Sequence, residues 1–232
     1  MSVMRRKQLS KAELAYCHKT LSSDTLAALV LNALALGESL SVVRFSDGEL
    51  AVLEHEQPAR TSACLRDPGW RTKYGMEGAD IKKITADLQF AAQHATYVAP
   101  SISGLYMPWF NLYPFMADRP WFVDAFYMYY WKVADRVPDI VKAANSVHII
   151  NRNWAALATA MRGKFGLVHT KVTGFALNSW QDVDAARDSA LQAHAELVLV
   201  SGGPPGKRLP VDITAAYKCV ALDVGCGLEV CI

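Results

Sequence analysis

Seven residues, Arg44-Phe-Ser-Asp-Gly-Glu-Leu50, hold the sharpest local grouping of chemically capable side chains in this chain. Asp47 and Glu49 stand two positions apart, so in an extended backbone both carboxylates project to one side. Gly48 between them lets the chain turn and leaves room for a ligand or an ion. Two carboxylates on one side make a hard oxygen site suited to Mg²⁺ or Mn²⁺, and such an ion bridges readily to a diphosphate. Arg44 can answer a phosphate or orient a carboxylate through charge-assisted hydrogen bonds. Asp-Gly is also ordinary turn chemistry, and a solvated turn at the end of a strand is the competing reading.

Two further segments carry polar groups at places where ligands collect. In Ser201–Pro210, SGGPPGKRLP, Gly202, Gly203 and Gly206 permit close backbone approach to phosphate oxygens, and Lys207 and Arg208 add positive charge. It is no Walker loop: Ser201 stands where the first Gly is required, and Arg208 replaces Ser or Thr. A plain linking loop is the alternative. Asn151-Arg152-Asn153 offers amide and guanidinium donors for a base, ribose or phosphate, with Asn153 equally suited to cap a following helix.

The elements that must position these residues alternate. Helices are expected over 10–21 and 24–36, the second capped by Ser22–Asp24 and stopped by Gly37. The β-branched run 39–45 reads as a strand ending at the Asp47/Glu49 turn. Helix 77–94, strand 96–100, a helical stretch over 120–145 and strand 146–150 follow. Then come helix 154–163, strand 169–173, helix 181–194, strand 195–201, helix 209–217 and strand 218–224. This alternation implies an α/β fold: a Rossmann-like, mainly parallel sheet flanked by helices, in one domain. Residues 1–37 would supply N-terminal helices packed on a core domain of 38–232. In such sheets ligands sit beyond the carboxyl ends of strands, where all three polar segments fall.

Composition narrows the classes. The chain has 232 residues, 52% of them hydrophobic and 20% charged, which excludes disorder, collagen-like repeats and coiled coils. A net charge of +2 gives no strong field, so nucleic acid is an unlikely partner. Five cysteines without paired metal spacing, and basic N-terminal residues with no apolar run behind them, point to a reduced cytoplasmic protein. The uncharged stretch between Asp87 and Asp118 is interrupted by Pro100, Pro108 and Pro114 and is no membrane span.

Thirteen of the 23 aromatic residues lie between Tyr97 and Trp131, so this block is either core or a wall of the site. Phe122, Phe126 and Tyr129 read as core, and Tyr106, Trp109 and Tyr113 as a stacking surface for sugar rings. Ala221–Glu229, ALDVGCGLE, has the look of a glycine-rich S-adenosylmethionine motif, but it lacks the third Gly and would need a circular permutation. Glu54-His55-Glu56 has one His and no zinc spacing.

The segment SVVRFSDGEL resembles the RFGDGE signature of glycosyltransferases with the GT-D fold, with Ser46 in place of the usual Gly. LVLVSGGPPGKRLPVDI is similar to the strand and Gly-Pro-Thr-type loop of that family, and ALDVG to its closing Asp-x-Gly segment, where Cys226 replaces a frequent His. The likeness spans about residues 38–228. It implies a metal-dependent transferase moving a hexose from a nucleotide diphosphate sugar, a UDP-sugar by preference, to a glycan, protein or other hydroxyl acceptor. Asp47 and Glu49 would be the catalytic and metal-binding pair, with Mn²⁺ or Mg²⁺ as cofactor. Arg44, Asn151, Arg152, Gly202, Gly203, Lys207 and Arg208 would bind substrate. A non-catalytic nucleotide-sugar-binding module and a permuted methyltransferase are the competing classes.

Overall fold

The computed structural model describes residues 18–56, 65–101 and 119–231. Its eight strands are β1 (Thr20–Leu21), β2 (Leu40–Phe45), β3 (Tyr97–Pro100), β4 (Phe122–Val123), β5 (Ser146–Asn151), β6 (Lys171–Phe175), β7 (Leu197–Ser201) and β8 (Val220–Asp223). They form one sheet in the order β1-β4-β3-β2-β8-β7-β5-β6, with every pairing parallel. Parallel strands covered on both faces are apolar at successive positions rather than alternately. β2 shows this, with all six residues buried, Arg44 included.

Alternate side chains feed opposite layers. Leu40, Val42, Leu197, Leu199, Val220 and Leu222 face one apolar cluster. It is closed by α1 (Ser23–Leu36), α5 (Tyr127–Val133), α6 (Val137–Lys142) and α7 (Trp154–Phe165). On the other face, Val43 and Phe45 meet α2 (Asp47–Leu53) and α4 (Ile81–His94). Val198, Val200 and Ala221 there meet α8 (Val183–Ala193) and α9 (Leu209–Ala216). Two short helices, α3 (Pro68–Lys73) and α10 (Gly227–Cys231), stand beside the strand ends. No described helix is long and apolar enough to cross a membrane.

The capping chemistry acts where expected at α1: Ser22 Oγ accepts from Thr25 N at 3.0 Å, and Gly37 ends the helix at φ 62°. Four elements differ from the sequence reading. Residues 10–17 of the first expected helix lie outside the described residues, and Thr20–Leu21 is a strand paired with β4. The helix expected over 77–94 begins only at Ile81, where Asp80 Oδ1 accepts from Lys82 N and Lys83 N. Residues 120–145 divide into β4, α5 and α6, because Asp135 takes φ 53° and ends the first helix. Asp47–Leu53 is a helix rather than a turn.

His148 lies inside the β5–β6 pair, 1% exposed, with Nδ1 2.9 Å from Thr173 Oγ1 and Nε2 3.5 Å from Ser189 Oγ. Burial pushes its imidazole down to about 4. The folded state therefore holds it neutral while the unfolded chain takes up a proton below about 6.5. Stability should be intact above pH 6.5, fall as pH drops toward 4, and change no further through this group below that. We expect wild type to lose about 3 kcal/mol more than His148→Gln between pH 7 and pH 4. Urea titrations at the two pH values measure the difference, and parallel losses would exclude the effect.

Candidate functional site

The connection from β2 runs outward to β3 on one side, while β8, β7 and β5 lie on the other, which makes a topological switch point beside β2. A cavity of about 510 Å³ opens there. Arg44, Asp47 and Glu49 reach it from β2 and α2, Asn151 and Arg152 from the end of β5, and Gly202, Gly203 and Lys207 from the loop after β7. Residues far apart in sequence thus share one chamber.

Its floor is an ionic cluster. Lys207, 4% exposed, places Nζ 2.6 Å from Asp223 Oδ2 and 3.2 Å from Glu49 Oε1. Each remaining carboxylate oxygen is also satisfied: Glu49 Oε2 accepts from Ser46 N at 2.8 Å, and Asp223 Oδ1 from Gly225 N at 3.2 Å. Asp223 Oδ2 accepts additionally from Arg44 N at 2.9 Å. Three buried charges are tolerable only with such complete pairing, because the desolvation penalty is several kcal/mol per ion. An ammonium has three donors, so one proton of Lys207 has no acceptor among the described residues.

Arg44 is the second buried cation. Its Nε donates to Ala125 O at 2.5 Å, and the guanidinium packs against Gly225, where a Cβ would lie 1.7 Å from Nη1. Gly225 also takes φ 50°, a backbone conformation that favours glycine, and any side chain there would displace the Arg44 guanidinium. Nη1 and Nη2 have no hydrogen-bond or ion-pair partner among the described residues, although Arg44 is only 7% exposed. A fork of donors is left facing the cavity.

The same-side arrangement of Asp47 and Glu49 is not formed. Ser46 stands at the N-cap of α2 and Glu49 closes back on its amide, so both residues are helical. At about 100° per residue, positions two apart point in nearly opposite directions. Glu49 turns inward to Lys207; Asp47 is exposed, lines the cavity and has no polar partner among the described residues. No group of three or more His, Cys, Asp or Glu among the described residues is placed to hold a metal. The residues present leave one carboxylate of the pair, Asp47, open to the cavity for a divalent ion. They do not fit a two-carboxylate clamp while Lys207 occupies Glu49.

Arg208 departs from its expected role. It donates to Asp87 at 2.9 Å and Asp212 at 3.0 Å, stacks 4.4 Å from the Phe90 ring centroid and does not line the cavity. A 3₁₀ helix, Pro204–Arg208, follows Gly203 directly and runs into α9 at Leu209, so the expected helix does follow the loop. Gly203 takes φ 58°, a backbone conformation that favours glycine, and a Cβ on Gly202 would lie 2.4 Å from Leu177 Cδ2 and 3.1 Å from Gly206 Cα. Asn151 Oδ1 accepts from Asn153 N at 2.6 Å, and its Nδ2 donates to Glu229 Oε1 at 3.4 Å. Asn153 caps α7 by position, without a side-chain bond. Arg152 bridges the carbonyls of Thr72 and Asn178 at 3.4 and 3.3 Å.

Sequence reasoning missed Lys73, Tyr74, Asn178 and Glu229, all on the cavity wall. Phe126 and Tyr129, expected in the core, line the cavity half-buried, while their neighbours Tyr127, Met128 and Trp131 turn inward. Helical periodicity across 126–131 carried that signal. Tyr129 OH lies 3.2 Å from Cys226 Sγ, and this hydrogen bond leads the causes that push its phenol up to about 12. Tyr106, Trp109 and Tyr113 lie outside the described residues.

A family model described as a GT-D fold-like domain matches residues 21–231. The chain belongs to this GT-D-like family. Among solved structures, a selenomethionine-substituted domain of unknown function 1792 matches with TM-score 0.59 and 18% identity over 89% of this chain and 78% of that one. A second domain 1792 structure, described as having a distinct glycosyltransferase fold, gives TM-score 0.56 and 17% identity over 92% and 82%. A third, described as a new glycosyltransferase from Streptococcus sanguinis, gives 0.56 and 16% over 89% and 81%. At these identities the shared property is the fold. No curated protein matches the chain at a significant level.

Lys207→Met leaves Glu49 and Asp223 buried with no counter-ion. Urea denaturation should register a loss of about 3–5 kcal/mol. Arg208→Met, which removes a more exposed pair, should cost about 1 kcal/mol or less. Equal losses for the two would mean that Lys207 is not the structural cation of the site.

Proposed function

We propose that this chain is a glycosyltransferase that moves a hexose from a nucleotide diphosphate sugar, with UDP as the leaving group, to a hydroxyl of a glycan, protein or other acceptor. The observation that carries this reading is the pair of buried cations, Arg44 and Lys207, with donors unspent on the cavity side. A diphosphate presents charged oxygens that match a guanidinium fork and an ammonium. Membership of the GT-D-like family supports the same class.

The residues divide the work by chemistry. Arg44 and Lys207 hold the diphosphate oxygens, and they stabilise the charge that gathers there as the bond to the sugar breaks. Glu49 and Asp223 fix Lys207 in place, which removes the reorganisation a mobile lysine would need. Asp47 is the residue available to hold Mn²⁺ or Mg²⁺, an ion that neutralises diphosphate charge when bound. The rings of Tyr74, Phe126 and Tyr129 give apolar faces to the base and sugar. The S-adenosylmethionine alternative loses its support, because the carboxylate of Asp223 is spent on Lys207 and on the Arg44 and Gly225 amides.

Calorimetry with UDP and with uridine tests the reading. Arg44→Gln should weaken UDP by about 1.5–3 kcal/mol, the range for a hydrogen bond to a charged group, and leave uridine unchanged. Equal weakening of both ligands would assign Arg44 to the base or to folding. Asp47→Asn should remove the additional thermal shift that Mn²⁺ gives to the UDP complex while keeping the metal-free shift. A wild type that binds UDP and turns over no nucleotide sugar would be a binding module rather than an enzyme.

A further inference from the structure

Three carboxylates stand among the described residues of the cavity wall, Asp47, Glu49 and Glu229, and their surroundings differ. Glu49 has both oxygens occupied, one by Lys207 and one by the Ser46 amide. Asp47 opens α2 next to the strand that carries Arg44, on the side of the two buried cations. Glu229, on α10, reaches across to the end of β5 and meets Asn151.

Asn151 is built to hold that contact. It is 3% exposed, and its Oδ1 is committed to the Asn153 amide, which turns the amide donor Nδ2 toward Glu229 Oε1. The other oxygen of Glu229 has no partner among the described residues, and no cation pairs with this carboxylate. One oxygen is located and one is open to the cavity, which is the arrangement a positioned base requires.

Its place in the sheet adds a second argument. Arg44 ends β2 and Lys207 bonds to Asp223 at the end of β8, whereas Glu229 leans on Asn151 at the end of β5. With β7 between β8 and β5, the cations and the carboxylate stand over strand ends about 10–14 Å apart at the usual strand spacing. A sugar ring fits between a diphosphate over β2 and β8 and a base over β5.

We propose that Glu229 is the general base of transfer, resting on the glycosyltransferase reading above. The acceptor hydroxyl oxygen bonds to the anomeric carbon as the bond from that carbon to the diphosphate oxygen breaks. The bonding pair leaves with the diphosphate, and the hydroxyl proton passes to the free oxygen of Glu229. Asn151 is a positioning residue that acts through Glu229.

UDP-hexoses with water as acceptor provide the assay, read as UDP release by the full chain. Glu229→Ala should slow release by about 10²–10⁴-fold, the usual contribution of a general base. Its UDP affinity by calorimetry and its melting temperature should match wild type, since the side chain is exposed. Azide attacks without a proton to remove, so sodium azide should restore release in Glu229→Ala and give a glycosyl azide. Asn151→Ala should lower turnover less and leave UDP affinity unchanged. Wild-type turnover in Glu229→Ala, or a loss that azide does not restore while UDP still binds, overturns the assignment. Wild type that binds UDP but releases none from any UDP-hexose also overturns it and leaves the nucleotide site standing. Failure of wild type to bind UDP at all removes the glycosyltransferase reading itself.

Discussion

Lys207 brings an ammonium into the interior between two carboxylates, and the strand ends around it are arranged to make that tolerable. Burying three charges costs several kcal/mol per ion, and mutual attraction offsets this only when every lone pair finds a partner. Here the partners come from three separate segments: the Arg44 and Ser46 amides where β2 passes into α2, the Gly225 amide after β8, and Lys207 itself after β7. The cluster thereby fixes how the central strands end relative to one another. It also accounts for the turn at Gly225, whose left-handed backbone returns an amide to Asp223 while leaving room for the Arg44 guanidinium.

From this clamp the open chemistry of the site follows. Arg44 is bound at its backbone by Asp223 and at Nε by Ala125, so its remaining donors are held in one orientation. A guanidinium fixed in this way meets an anion without first losing side-chain freedom, which for a loose arginine is worth about 2 kcal/mol. Lys207 is similarly immobile. The remaining polar groups of the cavity lie at its rim, with Asp47, Glu229, Cys226 and Arg152 all exposed. Buried cations below and exposed polar groups above make a chamber closed at its base and open to solvent at its mouth.

The sheet was legible because its central strands are short, branched and apolar, and because Ser22 and Gly37 punctuate the first described helix in the ordinary way. The gathering of Arg44, Asn151, Arg152, Gly202, Gly203 and Lys207 followed from the rule that ligands collect at carboxyl ends of parallel strands. What escaped were pairings over long sequence distance. Arg208 could have been matched to Asp212 by helical spacing, but Asp87 lies 121 positions away and is brought in by α4. Lys207 likewise gives no local sign of being buried. The helical state of Asp47–Leu53 had a signature, since Ser46-x-x-Glu49 is a capping box, and the pull of the Asp-Gly turn concealed it.

The charge balance of the cavity separates two ways of attracting an anion. Arg44, Lys73, Arg152 and Lys207 on its wall face Asp47, Glu49 and Glu229, an excess of one positive charge, and buried Asp223 beneath them cancels it. With the whole chain at only +2, no long-range field concentrates anions here. Recognition must then come from short-range, directed donors whose strength depends on low local dielectric and fixed geometry. A neutral chamber with two oriented cations also penalises the empty site little, because Lys207 already has counter-ions. It would gain most from a ligand that brings its own negative charge to the unspent donors of Arg44. The two carboxylates beside Lys207 are therefore what allow a buried cation to stand at the cavity floor with a donor still unspent.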